Sequence, residues 1–362
     1  MARAALRAAL PSVSPLAHDG GIRPLAAVTV ETRFSLRLRP LAIAVALLVL
    51  LLLAALLYSL LREPAPPAPG PAPTAGPPEA VAPAVVIAAG DIARCDDDDQ
   101  PEQGAVDTAA LIEELLEQED RETLVAALGD LAYDDGTEEE FANCYDPTWG
   151  AFRDQTRPAI GDHDNNTDGG APFFEYFDEV DGLDMPEPEG WYSYPLGEWH
   201  VFVLNTACQR AGCEEGEPQY KWLQAELEQV ETRNILAYWH RPMHSAGHHG
   251  PYARIGAIYQ LLDEAGADLV LSGNDHDYQR WAPLGADGTP DDHAPRQFVV
   301  GTGGGSLRPI EQDGNSEALE YYQGDEHGVL RVVLESCGYS WEFITVDGEV
   351  LDDGSSEGTC ES

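Results

Sequence analysis

Five apolar runs along this 362-residue chain each end in an aspartate or a histidine. Asp91 follows AVVIAAG, Asp130 follows LVAALG, and Asp162 and His163 follow PAIG. His240 follows ILAYW, and His276 lies just beyond LVLSG. In open α/β sheets the crevice outside the carboxyl ends of the strands is where ligands bind, so five such ends can converge on one point. Gly90, Gly129, Gly161 and Gly273 precede most of them and give the tight exits such convergence needs. One Gly-Asp strand end alone is an ordinary turn. Five in order, with Tyr133 three residues after Asp130, form a metal-capable set. Carboxylates and imidazoles suit two borderline or hard cations held a few Å apart. One bridging carboxylate holds such a pair, and a water bound there becomes acidic enough to act as a nucleophile.

The same runs set the fold class. Strands are expected at 85–90, 124–128, 158–160, 191–195, 201–204, 235–239, 269–271, 297–300, 329–334 and 341–346. Helices are expected at 104–118, 218–230 and 252–265. Strands dominate with helices between several of them, which is the pattern of an α/β or α+β layered sandwich. No internal repeat is present.

Charge divides the chain. It holds 64 acidic against 20 basic residues, and Lys221 is the only lysine. Residues 1–62 carry seven arginines and two acids, whereas 63–362 carry 13 basic and 62 acidic residues. Residues 41–61 (LAIAVALLVLLLLAALLYSLL) are uncharged and match the roughly 30 Å hydrocarbon core of a bilayer. An uncleaved signal anchor is favoured over a cleaved signal because the run exceeds a usual h-region. The rival rests on an A-x-A sequence at 80–82. Arg33, Arg37 and Arg39 lie before the run and only Arg62 after it, so the bulk of the chain is expected outside the cell. The resulting organisation is a basic cytoplasmic segment over 1–40, a membrane anchor over 41–61, a Pro/Ala-rich tether over 62–84 and one domain over 85–362. A domain this acidic repels phosphate backbones, which excludes nucleic-acid scaffolding. Its arginine-for-lysine usage and excess of acids read as a hydrated surface adapted to high salt. The run of acids at 96–99 (DDDD) belongs to that surface.

AAGDIA, GDLAYDDG, GDHD, WHRPMHSAG and SGNDHDYQR together resemble the calcineurin-like metallophosphoesterases, in their purple-acid-phosphatase-like branch. The likeness spans about 85–360 and implies two mixed β-sheets flanked by helices. It also implies two metal ions, iron with manganese, zinc or magnesium. By that resemblance Asp91 binds the first metal, Asp130 bridges both, and Tyr133 is a phenolate on the first metal that favours Fe³⁺. His240 binds the second metal, His276 the first, and His163 assists proton delivery to the leaving group. Two positions depart from the family: Asp162 replaces its asparagine and Asn274 its histidine, both ligands of the second metal. The exchange enriches that site in oxygen and moves its preference from zinc towards Mn²⁺, Mg²⁺ or Ca²⁺.

Further residues follow from the same blocks. His244, His248 and His249 lie on the loop after His240, where related enzymes place substrate-contacting histidines. His248 and His249 are the candidates for leaving-group protonation, against the plain reading of a solvated His-rich turn. Arg280 is expected in a structural ion pair. Six cysteines outside the cytosol point to disulfides, with Cys208–Cys213, Cys337–Cys360 and Cys95–Cys144 the expected pairs. The function implied is an extracellular, membrane-anchored phosphoesterase acting on small phosphomonoesters, with diesters or nucleotides next, through a metal-bound hydroxide. The rival is a surface-binding relative, non-catalytic or mononuclear, whose second metal site is degraded by Asn274.

Overall fold

A computed structural model describes residues 40–61, 82–310 and 317–357. The expected cytoplasmic segment (1–40) apart from its last residue, most of the expected tether (62–84), and Cys360, the expected partner of Cys337, lie outside the described residues. Pro40–Leu61 is one uninterrupted helix. Within it Ala44–Leu61 is long and apolar enough to cross a membrane.

From Ala84 onward the apolar runs pair into two mixed sheets. The six-stranded sheet runs in the order Val350–Ser356, Tyr339–Thr345, Gly328–Leu334, Ala84–Ala89, Thr123–Ala127, Thr156–Pro158. The last three are parallel to one another and the rest antiparallel. The seven-stranded sheet runs Leu319–Gln323, Tyr278–Trp281, Arg296–Val300, Leu269–Ser272, Asn234–Trp239, Trp199–Val203, Tyr192–Leu196. Its four central strands, from Arg296–Val300 to Trp199–Val203, are parallel. Parallel strands discharge their loops at a common end, so the exits at Asp91, Asp130, Asp162 and His240 come from matching ends of two sheets.

Period-two alternation explains the layering. Val201, Val203, Leu236, Tyr238, Leu269 and Leu271 share one buried core with Val85, Ile87 and Val125 of the other sheet. Their neighbours Phe202, Ile235, Ala237, Trp239 and Val270 face a second core with Leu223, Ile258 and Leu262. Those last residues belong to the helices Pro218–Leu227 and Gly256–Glu264, while Gln103–Gln118 covers the six-stranded sheet. The layered sandwich expected from the sequence is therefore present. The strand expected at 158–160 is centred two residues earlier, at Thr156–Pro158, with Ala159 and Ile160 forming its buried exit.

Three strands of the two large sheets escape an apolar-run reading: Tyr278–Trp281, Leu319–Gln323 and Val350–Ser356. Val350–Ser356 is an edge strand (VLDDGSS) whose buried side chain is Asp352. That carboxylate accepts from Tyr278 Oη (2.8 Å), Arg280 Nε and Nη2 (2.9 and 3.0 Å) and Trp341 Nε1 (3.2 Å). Arg280 thus makes the structural ion pair expected of it and ties the C-terminal edge of one sheet to the other sheet. Cys95–Cys144 and Cys208–Cys213 form as expected.

Removing one partner of a buried ion pair leaves an uncompensated charge. Asp352→Ala is expected to lower the unfolding free energy by about 3 kcal/mol, read by guanidinium denaturation. A loss below about 1 kcal/mol would mean that the pair does not fasten this edge.

Candidate metal centre

Asp91, Asp130 and His240 are buried, and their ligand atoms lie within 4.8 Å of one another. Asp91 and Asp130 sit just past parallel strands with backbone φ of 59° and 53°, and Asn274 has φ 71°. This left-handed conformation is open to Asp and Asn because their short polar side chains bond locally. The sharp turn lets each backbone serve one neighbour while its side chain enters the centre. Asp91 Oδ2 accepts from the Asn274 N–H (2.8 Å), and Asp130 Oδ1 accepts from the His163 N–H (2.9 Å). Gly161 is required by contact rather than conformation: a Cβ there would lie 2.1 Å from Asp130 N and Oδ1.

Three imidazoles are aimed by one device. Nδ1–H of His240 donates to Leu128 O (2.9 Å), that of His276 to Ser306 O (2.8 Å), and that of His163 to Asp134 O. Anchoring Nδ1 on a carbonyl fixes the tautomer and turns Nε2 into the site. His240 Nε2 then lies 3.2 Å from Asp130 Oδ2 and 3.3 Å from Asp162 Oδ1. His276 Nε2 lies 3.4 Å from Asp91 Oδ1 and 3.3 Å from Tyr133 Oη, which donates to Asp91 at 2.9 Å. His163 Nε2 stands 4.0 Å from Asp130 Oδ2.

Electrostatics show what this ring calls for. Burial raises the Asp91 carboxyl, with His276 and His240 opposing. Burial acts the same way on Asp130, but the charge of the neighbouring His240 outweighs it and holds the group low. Against its own desolvation, His240 is raised well above the usual imidazole range by Asp130. Tyr133 is raised well above a free phenol, by burial and then by Asp130 and Asp91. His240 Nε2 is buried without a hydrogen-bond partner while facing two carboxylates. A lone pair so placed meets either a proton or a cation, and the donor set of two carboxylates, a phenol and two imidazoles suits a borderline or hard metal. The residues fit the metal on the Asp91, Tyr133, His276 and Asp130 side.

On the other side the fit is looser. Arg241 Nε donates to Asp162 Oδ1 (3.0 Å), and Arg241 Nη2 pairs with Oδ2 (2.8 Å). Burial opposes ionisation of Asp162, yet the neighbouring His240 imidazole and the bonds from Arg241 hold its carboxyl far below the usual range. Asn274 lines the same cavity, of about 260 Å³, with Asp130, Tyr133, Asp162, His163 and His276.

The remaining histidines separate. His249 lines the cavity, but its Nε2 accepts from Arg308 Nη1 at 2.7 Å. His248 is exposed, its ring edge-on to His249 at 5.2 Å. His244 turns away and packs against Tyr259 and Trp281. Arg94, Arg241, Arg308 and Tyr252 also line the cavity, although no apolar run points to them. Their signal is scarcity: basic residues are few in 63–362, and Arg94 and Arg241 stand within three residues of a ligand. Asp164 and Asp275 act as buried struts. Asp164 accepts from the Leu131, Ala132 and Gly161 N–H groups, and Asp275 accepts from the His249 N–H and Ser245 Oγ.

Comparison with known proteins agrees with this geometry. The model of the calcineurin-like phosphoesterase family matches residues 84–278. An uncharacterised protein of Mycobacterium tuberculosis is 27% identical over 194 residues, 48% of this chain and 34% of that one. Purple acid phosphatase 1 of Ipomoea batatas is 28% identical over 211 residues, 50% of this chain and 44% of its own. The structure of a purple acid phosphatase from yellow lupin seeds superposes with a TM-score of 0.61 at 18% identity, covering 77% of this chain and 54% of that one. The chain spans less than half the length of these two sequence relatives.

The displaced His244 supplies a pH test. Burial holds its imidazole down at about 4, against roughly 6.5 in an unfolded chain. Between those values the unfolded chain takes up a proton that the folded one refuses, so stability falls as pH drops through that window. His244→Phe is expected to remove up to about 3 kcal/mol of this acid sensitivity, measured by denaturation at high and low ends of the window. Equal sensitivity in both proteins would show that His244 is not the group titrating.

Proposed function

The chain belongs to the calcineurin-like phosphoesterases, in their purple-acid-phosphatase-like branch, and from that premise we propose that it hydrolyses small phosphate esters at a dinuclear metal centre. The observation that carries this reading is the buried, partnerless Nε2 of His240 between Asp130 and Asp162. Asp91, Tyr133 and His276 would hold one ion, His240, Asp162 and Asn274 the other, and Asp130 both. The ions supply Lewis acidity to the phosphoryl oxygens and an acidified water. The protein's residues do the rest. His163, held by Asp134 O, turns Nε2 to the cavity and gives its proton to the departing oxygen. Desolvation of its imidazole is outweighed by Asp130 and the Asp134 carbonyl, which raise it above the ordinary imidazole value. His249, its Nε2 bonded to Arg308, lines the cavity, and His248 packs against it from outside the lining. Phosphomonoesters are the first substrate class.

A second reading, one metal per chain, is favoured by the two-point grip of Arg241 on Asp162. Metal per chain, measured by emission spectroscopy alongside nitrophenyl phosphate hydrolysis with added iron, manganese or zinc, separates the two. Two metals, activity abolished by chelation, and a loss of at least about a hundredfold in kcat/KM for Asp130→Asn are expected. One metal with retained activity would support the second reading. No metal and no hydrolysis would sink both.

The same reading puts the domain outside the cell, held to the membrane by the apolar helix Pro40–Leu61, in a solvent rich in salt. With 62 acids against 13 basic residues beyond position 62, the domain gains stability as salt screens its self-repulsion. Thermal midpoints that match in dilute buffer and molar salt would contradict this.

A further inference from the structure

The cavity lining reverses the charge ratio of the domain around it. Of 13 basic residues in 63–362, three line this one cavity, together with only two of the 62 acids, Asp130 and Asp162. Both of those acids are accounted for by the metal centre. Guanidinium groups gathered in an otherwise anionic surface focus positive potential on one mouth.

The three arginines are not equivalent. Arg241 is committed to Asp162 through both carboxylate oxygens. The other two flank the opposite, Tyr133–His276 edge of the centre. The Arg94 guanidinium lies 5.0 Å from the Tyr133 ring centroid and pairs with Asp134, whose side chain is 64% exposed. Water screens such a pair, and a ligand can displace it at little cost. Arg308 bonds its backbone N–H to His276 O (2.8 Å) and gives Nη1 to His249 Nε2. An accepting imidazole nitrogen is neutral, so this contact orients the guanidinium without cancelling its charge. A scissile phosphoryl group at the centre would have its oxygens met there, by the ions and by His163. The forks of Arg94 and Arg308 stand beside that position, and a planar fork matches phosphate oxygens in pairs.

Resting on the phosphoesterase reading above, we infer that Arg94 and Arg308 form a second phosphate subsite, and that the preferred substrate is an organic diphosphate. In that reaction water adds to the terminal phosphorus as its bond to the bridging oxygen breaks. Inorganic phosphate and an organic monophosphate are released, and a proton from water passes to the solution or to the departing oxygen. The charge growing on that leaving monophosphate falls against Arg94 and Arg308, where fixed cations act most strongly on the rate. His249 is then a positioning residue for Arg308.

The test uses the full chain in detergent, supplied with metal, and the ratio of kcat/KM for adenosine diphosphate over nitrophenyl phosphate. The expected ratio is about tenfold or more, the size of one charge-assisted hydrogen bond. Arg308→Gln and Arg94→Gln should each collapse it, and Arg308→Lys, which keeps charge but lacks the fork, should not restore it. A ratio near one, or one unmoved by both glutamine variants, overturns the subsite. An equal gain for phosphoglycolate overturns its assignment to a second phosphoryl group. Calorimetric titration with methylenediphosphonate and methylphosphonate needs no turnover. If neither ester is hydrolysed the phosphoesterase reading fails, and this binding comparison decides. Tighter diphosphonate binding that Arg308→Gln abolishes supports the subsite, and equal binding of the two phosphonates overturns it.

Discussion

Asp91 and Asp130 are two carboxylates shut away from water where the ends of two sheets meet, and buried like charges persist only when positive charge answers them. That demand organises the surrounding structure. His240 and His276 supply nitrogen from the seven-stranded side, each tethered through Nδ1 to a main-chain carbonyl so that Nε2 cannot swing away. Backbone amides of His163 and Asn274 take up carboxylate lone pairs that would otherwise be unsatisfied. Gly161 leaves the space that Asp130 occupies. None of these features stabilises the fold by itself; each lowers the cost of holding two acids in one dry place. A protein that meets this cost in so many positions has been built around a cation.

The same electrostatic logic separates the cavity from the rest of the surface. Elsewhere arginines are spent on architecture: Arg280 and Arg296 both lie over Trp341 and share Glu320, and Arg331 bridges Glu119 and Glu342. Glu119 is accordingly held down at about 2, first by its bonds to Arg121, against its own desolvation. In a domain so short of cations, each arginine at the mouth is one withdrawn from such networks, and the three there leave that mouth less anionic than its surroundings.

How much was legible in the sequence depends on which physical signal a residue carries. Asp91, Asp130, His240 and His276 were readable because each follows a buried parallel strand, and burial of a parallel strand leaves an unbroken apolar run, whereas His163 was readable from the apolar exit just past Thr156–Pro158. Tyr133 was readable from its spacing to Asp130. Val350–Ser356 was not, since an edge strand packs few side chains and its buried residue is an aspartate held by Arg280. Arg308 and Tyr252 were hidden for another reason. They reach the cavity from loops whose path is fixed by main-chain bonds, Arg308 N–H to His276 O and Tyr252 N–H to Pro242 O, and neither bond leaves a mark on side-chain pattern.

The departures at Asp162 and Asn274 gain meaning from the backbone. Asn274 holds a left-handed conformation and gives its N–H to Asp91, so the main chain at this position serves that carboxylate whatever its side chain does. An imidazole can be exchanged there for an amide without disturbing Asp91. Asp162 is different. Its carboxylate brings a charge that Arg241 already answers through both oxygens. The two sides of the centre are therefore anchored differently. The Asp91, Tyr133 and His276 half is fixed by burial and by main-chain anchors. Around Asp162 the tethered Arg241 guanidinium holds both oxygens, so under the dinuclear proposal a cation would have to displace it there.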